Sequence, residues 1–385
     1  MRHTALRTTA AGLFAGLFAA AALGQGAPVQ TLNNSFDATA PGNPVLEWNQ
    51  IFIDTLVATT TPNSSSQRLG AIVHAAIFDA YNGIKQTYEP IVFHGSAPPG
   101  ASRRAAVIAA AHTTLVGLFR SRQPQLDASY KISLAALSDD GGDGGQSRDR
   151  GIAWGKEVAQ AVLDWRAADG FNGSHMAFDG GTAIGQWRPT PRLVPPPPTC
   201  GSMSAQGLAF TSMFVLVNET QFQPQPPRGL MSSTYTDDFN AVKALGRGTG
   251  STRTIDQTAL APFWEGNASV HWNQAANQIA RANHLSMSDS NRLLAVLNIA
   301  MADTAFTIWS AKRFYGANPT EVTWRPVTAI PLANTDGNPD TAPDPDTDRV
   351  TSPSGLPRSG GGRRGWRGRG RRGGPWLGPA AGLAA

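Results

Sequence analysis

The sequence predicts an all-α fold, and three observations support that prediction. Long segments carry apolar residues at three-to-four spacing, alternating strand patterns are nearly absent, and the composition suits a buried core. Of the 385 residues, 41% are hydrophobic and 15% are charged, which is normal for a globular protein. We expect one helical bundle over residues 45–350, because its loops separate helices without separating regions of different composition.

Seven segments show the helical period most clearly. They lie at 67–84, 101–120, 125–138, 148–168, 236–245, 270–283 and 289–315. The segments between them are rich in turn-forming residues, as in the proline tract at 189–198 and the Asp/Gly run at 139–145. The first two helices are rich in alanine, which permits close packing of helices inside a bundle.

The segment 289–315 is the strongest single helix prediction, and we expect it to be central because it is apolar on nearly every side. Ser286 and Asp289 form a capping pattern at its start, and Gly316 stands where a C-terminal cap is expected. Lys312 and Arg313 fall in its predicted last turn, where cations are favoured by the helix dipole. This helix-end electrostatic role is one interpretation of both residues.

The first 27 residues have the layout of a signal peptide, with Arg2 and Arg7 ahead of an apolar run that ends in small residues. This predicts a secreted or periplasmic protein that has no membrane segment after cleavage. Residues 28–44 are polar and turn-rich, so we expect a flexible lead. The single cysteine, Cys200, excludes a disulfide within the chain, and no histidine stands near it to suggest a catalytic thiol.

The positive charge of the chain is concentrated at its C-terminal end. The whole sequence has 32 Lys and Arg against 27 Asp and Glu, but residues 351–385 hold seven arginines and no acid, leaving 25 against 27. The body is therefore nearly neutral and gives no reason to expect a nucleic-acid partner. The Gly/Arg-rich tail predicts disorder, and we interpret it as a frameshifted translation. A genuine RNA-binding tail is the other interpretation.

His74 and Asp79 lie five residues apart on the helix at 67–84. Metal ligands on one helix face are expected at a spacing of four, and the flanking residues are apolar. We therefore predict a core histidine that is hydrogen-bonded to a buried acid, and no metal site.

Two cations near the end of the long helix form the candidate site. Lys312 lies on the helix, and Arg325 follows Trp324 directly before a proline, which favours an extended backbone at Arg325. A fixed guanidinium beside an ammonium suits a tetrahedral oxyanion, because charge-assisted hydrogen bonds to its oxygens are short and can be bidentate. Spacing alone does not separate this interpretation from the helix-end role.

Several segments resemble the vanadium-dependent haloperoxidases, which share a superfamily with type 2 phosphatidic acid phosphatases and bacterial acid phosphatases. The matching segments are 68–81, 262–264, 271–273, 301–303, 324–330 and 335–339. The resemblance implies an all-α fold and a vanadate cofactor that hydrogen peroxide and halide would use. It assigns Arg325 as an oxyanion ligand and Lys312 as its partner, although the twelve residues between them exceed the family spacing. Acid phosphatase activity on a phosphate ester, with phosphate in the same site, is the alternative.

Two further motifs of that family are missing from this chain. They are a Ser-Gly-His sequence and a final arginine followed by the histidine that binds vanadium, and no histidine occurs after His284. Without these histidines neither reaction has its ligand or its acid–base group. We therefore expect a truncated or frameshifted member that is inactive as written. A non-catalytic exported protein with a residual anion site is a further alternative.

Overall fold

The structure, a computed structural model, describes residues 42–137, 145–189 and 202–344. The predicted signal peptide, nearly all of the predicted lead, Cys200, most of the proline tract and the tail at 351–385 lie outside the described residues. Every element discussed below belongs to one compact unit that begins at Asn43.

The described residues form ten α-helices and contain no β-strand, which confirms the predicted fold class. The helices are α1 (Pro44–Ala58), α2 (Asn63–Lys85), α3 (Arg103–Leu118), α4 (Gln123–Ala135), α5 (Gln146–Ala167), α6 (Ser233–Gly246), α7 (Ile255–Trp264), α8 (Ala268–Ala282), α9 (Met287–Ala317) and α10 (Pro326–Ala329).

All seven predicted helices are present, with ends shifted by a few residues. The sequence analysis missed α1, α7 and the short α10. For α1 a start signal was available, because the Asn43 side chain accepts a hydrogen bond from the Val45 backbone N–H and proline opens the helix. Helix α7 buries none of its side chains and contains Pro262, so it lacks the amphipathic pattern on which the predictions depended.

Helix α9 packs along α2. It is less buried than its pattern suggested, because 14 of its 31 residues are buried against 16 of the 23 residues of α2. Its start is capped as expected, since the Ser286 hydroxyl accepts from the Asp289 N–H at 3.1 Å. Among the described residues it is the one helix long and apolar enough to cross a membrane by length and composition. Half of its most apolar window is buried inside the protein, and a core helix meets the same two criteria.

The alanine-rich helices α2 and α3 pack closely, as the sequence predicts. The tightest contact, between α3 and α5, requires a glycine. Helices α2, α3 and α5 each pack against the other two. At Gly155 of α5 a Cβ atom would lie 2.2 Å from the backbone oxygen of Ala106. Any larger residue at this position would push α3 and α5 apart.

The helix pair α1–α2 is repeated in sequence by the pair α8–α9. Asn49 and Asn273 are 224 positions apart, and the same separation relates other matched residues. These are Asn43 and Asn267, Trp48 and Trp272, Ser66 and Ser290, Arg68 and Arg292, His74 and Asn298, and Asp79 and Asp303. The sequence analysis found no repeat array, and a motif that occurs only twice at this distance has no period to detect.

Matched residues of the two helix pairs bond reciprocally to each other. Asn43 donates from its side-chain amide to the Ser290 hydroxyl at 2.9 Å. In the equivalent contact, the Ser66 hydroxyl donates to the side-chain oxygen of Asn267 at 3.0 Å. These bonds tie the start of each pair to the second helix of the other, so the two pairs form one core with approximate twofold symmetry.

His74 is a buried core histidine, as predicted, but its predicted acidic partner is wrong. Its Nε2 lies 3.0 Å from the side-chain oxygen of Asn49. Because the Asn49 amide nitrogen donates to Asn277 at 2.9 Å, that oxygen is the acceptor and His74 is the donor. Asp79 instead accepts three consecutive backbone N–H groups, from Ile91, Val92 and Phe93.

We expect this histidine to make stability depend on pH. Complete burial lowers the pKa of His74 from 6.5 to about 3, so the folded protein holds the ring neutral while the unfolded chain protonates it below 6.5. The unfolded state thus binds more protons across this window, and stability falls as the pH drops. From pH 8 to pH 5 the loss should be about 2 kcal/mol.

Urea unfolding of His74→Asn at several pH values checks this effect. The substitution places at position 74 the residue that stands at the matched position 298, where Asn298 donates to the Asn273 side chain at 2.9 Å. Between pH 8 and pH 5 the free energy of unfolding of His74→Asn should fall by about 2 kcal/mol less than that of the wild type. The exposed His284 provides the control His284→Asn, and an unchanged slope in the His74 variant would contradict the assignment.

Candidate functional site

The long helix runs past the predicted end, and this changes the setting of Lys312. Helix α9 continues to Ala317 and is followed by Asn318 as its cap, so its last turn contains no basic residue. Gly316 is therefore not the cap that the sequence suggested. Its lack of a side chain serves packing, because a Cβ there would lie 2.8 Å from the Phe178 ring. The helix dipole acts most strongly on the final turn. Because Lys312 lies before that turn, the dipole explains the presence of a cation at this position less well.

The ammonium of Lys312 lies over an aromatic ring and next to another cation. Its Nζ is 4.5 Å from the centre of the Trp309 ring, one turn earlier on the same helix. Burial of the amine, and secondly the positive charge of Arg325, lower the pKa of Lys312. Within the described part of the chain, Lys312 forms no ion pair and no hydrogen bond. The fold thus holds its charge beside a like charge.

Arg325 is fixed from three sides. Its backbone is extended, with φ −85° and ψ 155°, and Pro326 starts α10 directly after it, which confirms the predicted effect of the proline. Its guanidinium lies 5.1 Å from the centre of the Trp187 ring. Its Nη2 donates to the backbone oxygen of Arg188 at 3.0 Å.

Lys312 and Arg325 lie on two different segments, and the charge of Arg325 reaches the Lys312 amine; their pairing as an oxyanion site stays a prediction. The insertion between them is spanned by the end of α9 and a turn at 318–321, which the Asn318 side chain closes by accepting from the Thr320 N–H at 3.1 Å. A lysine and a held arginine side by side repel each other, and an oxyanion between them removes that repulsion. The pair is suited to bind a small oxyanion.

A loop that the sequence analysis did not assign to the site supplies the surface beneath Arg325. In this loop the Gly181 N–H donates to the Trp187 backbone oxygen at 3.0 Å. The rings of Phe178 and Trp187 pack with their centres 5.6 Å apart. Besides the bond from Arg325 to the Arg188 oxygen, two more bonds join this loop, at 178–188, to the Arg325 segment. Thr323 donates from its backbone N–H to the Gly185 oxygen at 2.7 Å, and its hydroxyl accepts from the Trp187 N–H at 2.9 Å.

A signal for this loop was present in the sequence. The tripeptide Trp-Arg-Pro occurs at 187–189 as well as at 324–326. In the structure each arginine lies over the other segment's tryptophan, since the Arg188 guanidinium is 5.7 Å from the Trp324 ring. We call this arrangement the Trp-Arg pair, formed by Trp187, Arg188, Trp324 and Arg325.

Comparison with solved structures shows which known proteins share this architecture. The holo-type and apo-type crystal structures of a bacterial vanadium-dependent chloroperoxidase each match with a TM-score of 0.53 and 15% sequence identity. The fold is that of vanadium-dependent chloroperoxidases. The apo-type match covers 71% of this chain and 66% of the other, and the holo-type match covers 70% and 64%. The matched part is thus less than two thirds of those chains.

Comparisons of sequence alone give no match. No protein-family model matches the chain, and no curated protein matches it. The likeness is therefore one of helix arrangement, and the predicted roles of Lys312 and Arg325 stay predictions.

The described residues fit one part of a vanadate site and not the other. Lys312 and Arg325 suit the oxygens of vanadate or phosphate. The haloperoxidase resemblance also implies a histidine that follows these two cations in the sequence. None of the seven histidines lies after position 284, so that histidine has no counterpart here. On the loop next to α9, the Nε2 of His175 donates to the Gly170 oxygen at 2.7 Å, and its ring stacks on Phe210. Across the described ranges, no three His, Cys, Asp or Glu residues group to hold a metal ion.

Proposed function

We propose that this chain is an exported oxyanion-binding protein of the haloperoxidase type, whose site at Lys312 and Arg325 binds vanadate or phosphate. The observation that carries the proposal is the meeting of these two cations at the end of α9, in a fold shared with vanadium-dependent chloroperoxidases. Vanadate, when held in such a fold, supplies the centre at which hydrogen peroxide is activated to oxidise halide. The residues of this chain would hold its oxygens.

The two cations have separate tasks in this proposal. The guanidinium of Arg325 is planar and held over Trp187, so it can present two parallel N–H groups to two oxygens. The ammonium of Lys312 is a compact charge on a flexible stem, and it can move from the Trp309 ring towards a bound anion. Together they neutralise most of the charge of a dianion.

We further propose that the 385-residue chain binds the oxyanion without oxidising halide or hydrolysing phosphate esters. Both reactions in this superfamily depend on a histidine, and no histidine is present after the segment that carries the two cations. Charge neutralisation alone lowers the energy of a bound anion without providing a ligand to the metal or a proton donor.

Calorimetric titration of the purified chain with orthovanadate and with inorganic phosphate tests the binding. We expect saturable binding of one anion per chain, competition between the two anions, and weakening as ionic strength rises. Absence of saturable binding of either anion would overturn the proposed function.

Parallel assays test the lack of turnover. Bromination of a phenol dye with peroxide, bromide and added vanadate should stay at the rate of free vanadate. Hydrolysis of p-nitrophenyl phosphate should stay at the buffer rate. Bromination above background would show a haloperoxidase, and ester hydrolysis above background would favour the phosphatase alternative.

A further inference from the structure

The Trp-Arg pair joins two segments that lie far apart in the chain. The Nη2 of Arg325 bonds to the backbone of Arg188 across 137 positions. Stacking in both directions adds to this bond, because Arg325 lies over Trp187 and Arg188 lies over Trp324. Neither arginine can move without exposing an indole face of the other segment.

The side chain of Arg188 is engaged by its own loop. Its Nη2 donates to the Thr182 oxygen at 2.6 Å and lies 3.5 Å from the Ala183 oxygen. No described carboxylate pairs with it. A guanidinium that is bound to backbone oxygens and stacked on an indole stiffens the loop and contributes little direct charge to an anion.

Trp324, on which Arg188 lies, is anchored in a small core. It is buried together with Phe239, Ala329 and Ile330, so its position is set by α6 and α10. The stack of Arg188 on Trp324 therefore fixes the loop to the rigid part of the protein. The backbone oxygen of Arg188, which accepts from Arg325, is fixed with it.

We propose that Arg188 is a positioning residue of the oxyanion site, which acts by holding the guanidinium of Arg325 in a single orientation. The role as part of a binding site rests on the proposed function, whereas the effect on Arg325 does not. In this arrangement the loop at 180–188 completes the site from a segment that carries no oxyanion ligand itself. Loss of the Arg188 side chain should free the loop, and with it the support beneath Arg325.

The reactivity of Arg325 measures its orientation without any anion. Phenylglyoxal modifies arginines, and mass spectrometry of the peptide that contains Arg325 reports the rate at this one position. We expect Arg188→Ala to raise the rate several-fold, because a guanidinium that has lost its stacking and hydrogen bond is more accessible. An unchanged rate at Arg325 would overturn the proposal.

Arg253→Ala is the matched control. Arg253 also donates to backbone oxygens in a surface loop, including that of Arg247 at 3.0 Å, but it has no contact with the Trp-Arg pair. This variant should leave the rate at Arg325 as it is in the wild type. Arg188→Lys keeps the positive charge but lacks the planar guanidinium, and it replaces the alanine variant in this test if that variant does not fold. It should raise the rate as well.

Phosphate titration separates positioning from a general loss of structure. Arg188→Ala should weaken phosphate binding about tenfold, equivalent to about 1.4 kcal/mol. When Arg188→Ala is added to the Arg325→Ala variant, phosphate binding should change by less than twofold, because the guanidinium that Arg188 positions is already absent. An equal loss in both backgrounds would contradict a role through Arg325. If wild type binds no anion while the phenylglyoxal rates differ as expected, the proposed function fails and the positioning role stands.

Discussion

Arg325→Ala should weaken the binding of vanadate and phosphate about 100-fold. A hydrogen bond between charged groups contributes about 1.5–3 kcal/mol, and a bidentate guanidinium offers two such bonds to one anion. A loss of about 2.7 kcal/mol corresponds to two orders of magnitude in the dissociation constant. Calorimetric titration with each anion measures it.

Further variants should separate the contribution of the positive charge to anion binding from that of the planar guanidinium. Arg325→Lys keeps the positive charge and loses the planar fork, so we expect a loss of about tenfold. Lys312→Ala removes the more mobile cation, and a similar loss is expected. The exposed Arg281 on α8 provides a control, since Arg281→Ala removes one positive charge far from the pair. Equal weakening by Arg281→Ala would show that only net charge matters.

The pH dependence of binding gives a second test of the pair. The charge of Arg325 helps to lower the pKa of Lys312, so its removal should raise that pKa. Anion binding that depends on the lysine charge should then persist to higher pH in Arg325→Ala than in wild type, although it is weaker throughout. An alkaline limb that does not move would mean that the two cations are not neighbours in solution.

The sequence contained much of the fold because the helices are local structures. The capping of α9 by Ser286, the extended backbone at Arg325 and the apolar periods of seven helices depend on neighbouring residues. The end of α9 was misplaced because glycine can mark either a cap or a close contact. Here the contact of Gly316 with Phe178 decided which.

The site could be predicted only in part because its support comes from a distance. The local sequence around Arg325 indicates a held cation, but no local pattern shows that Trp187 would lie beneath it. The partner of His74 was misassigned for the same reason. Asp79 lies on the same helix, whereas the true partner, Asn49, belongs to α1. Side-chain networks between helices depend on packing, and sequence spacing does not determine them.

Asp303 of α9 anchors the segment 214–216, and its loss should have a large effect on stability. Its carboxylate accepts the backbone N–H groups of Phe214, Val215 and Leu216 at 2.7, 3.0 and 3.1 Å. Arg166 holds the residues just before this segment, since its Nη2 donates to the Ser212 oxygen at 2.7 Å. Helix α9 is thus fastened to this segment nine residues before Lys312.

Removal of Asp303 also disturbs a buried group of charges. Arg166 is only 1% exposed and pairs with Asp169 at 2.9 Å. Asp169 is shared with Arg68 at 2.7 Å, so two buried guanidinium groups have one carboxylate in direct contact. The charge of Asp303 acts on Arg166 as well. Without it, the buried cluster would keep two positive charges against one negative charge.

Asp303→Ala should therefore lower the free energy of unfolding by about 3–4 kcal/mol, because it leaves one buried and two part-buried N–H groups without their acceptor and unbalances these charges. Urea unfolding measures the loss. Asp79→Ala tests the matched carboxylate, which also accepts three backbone N–H groups. Among the described residues no buried arginine acts on it, so we expect a smaller loss. The exposed Asp164 supplies the control, and Asp164→Ala should stay within about 0.5 kcal/mol of wild type. If Asp303→Ala and Asp79→Ala were equally destabilised, the backbone bonds alone would explain both, and Arg166 would not depend on Asp303.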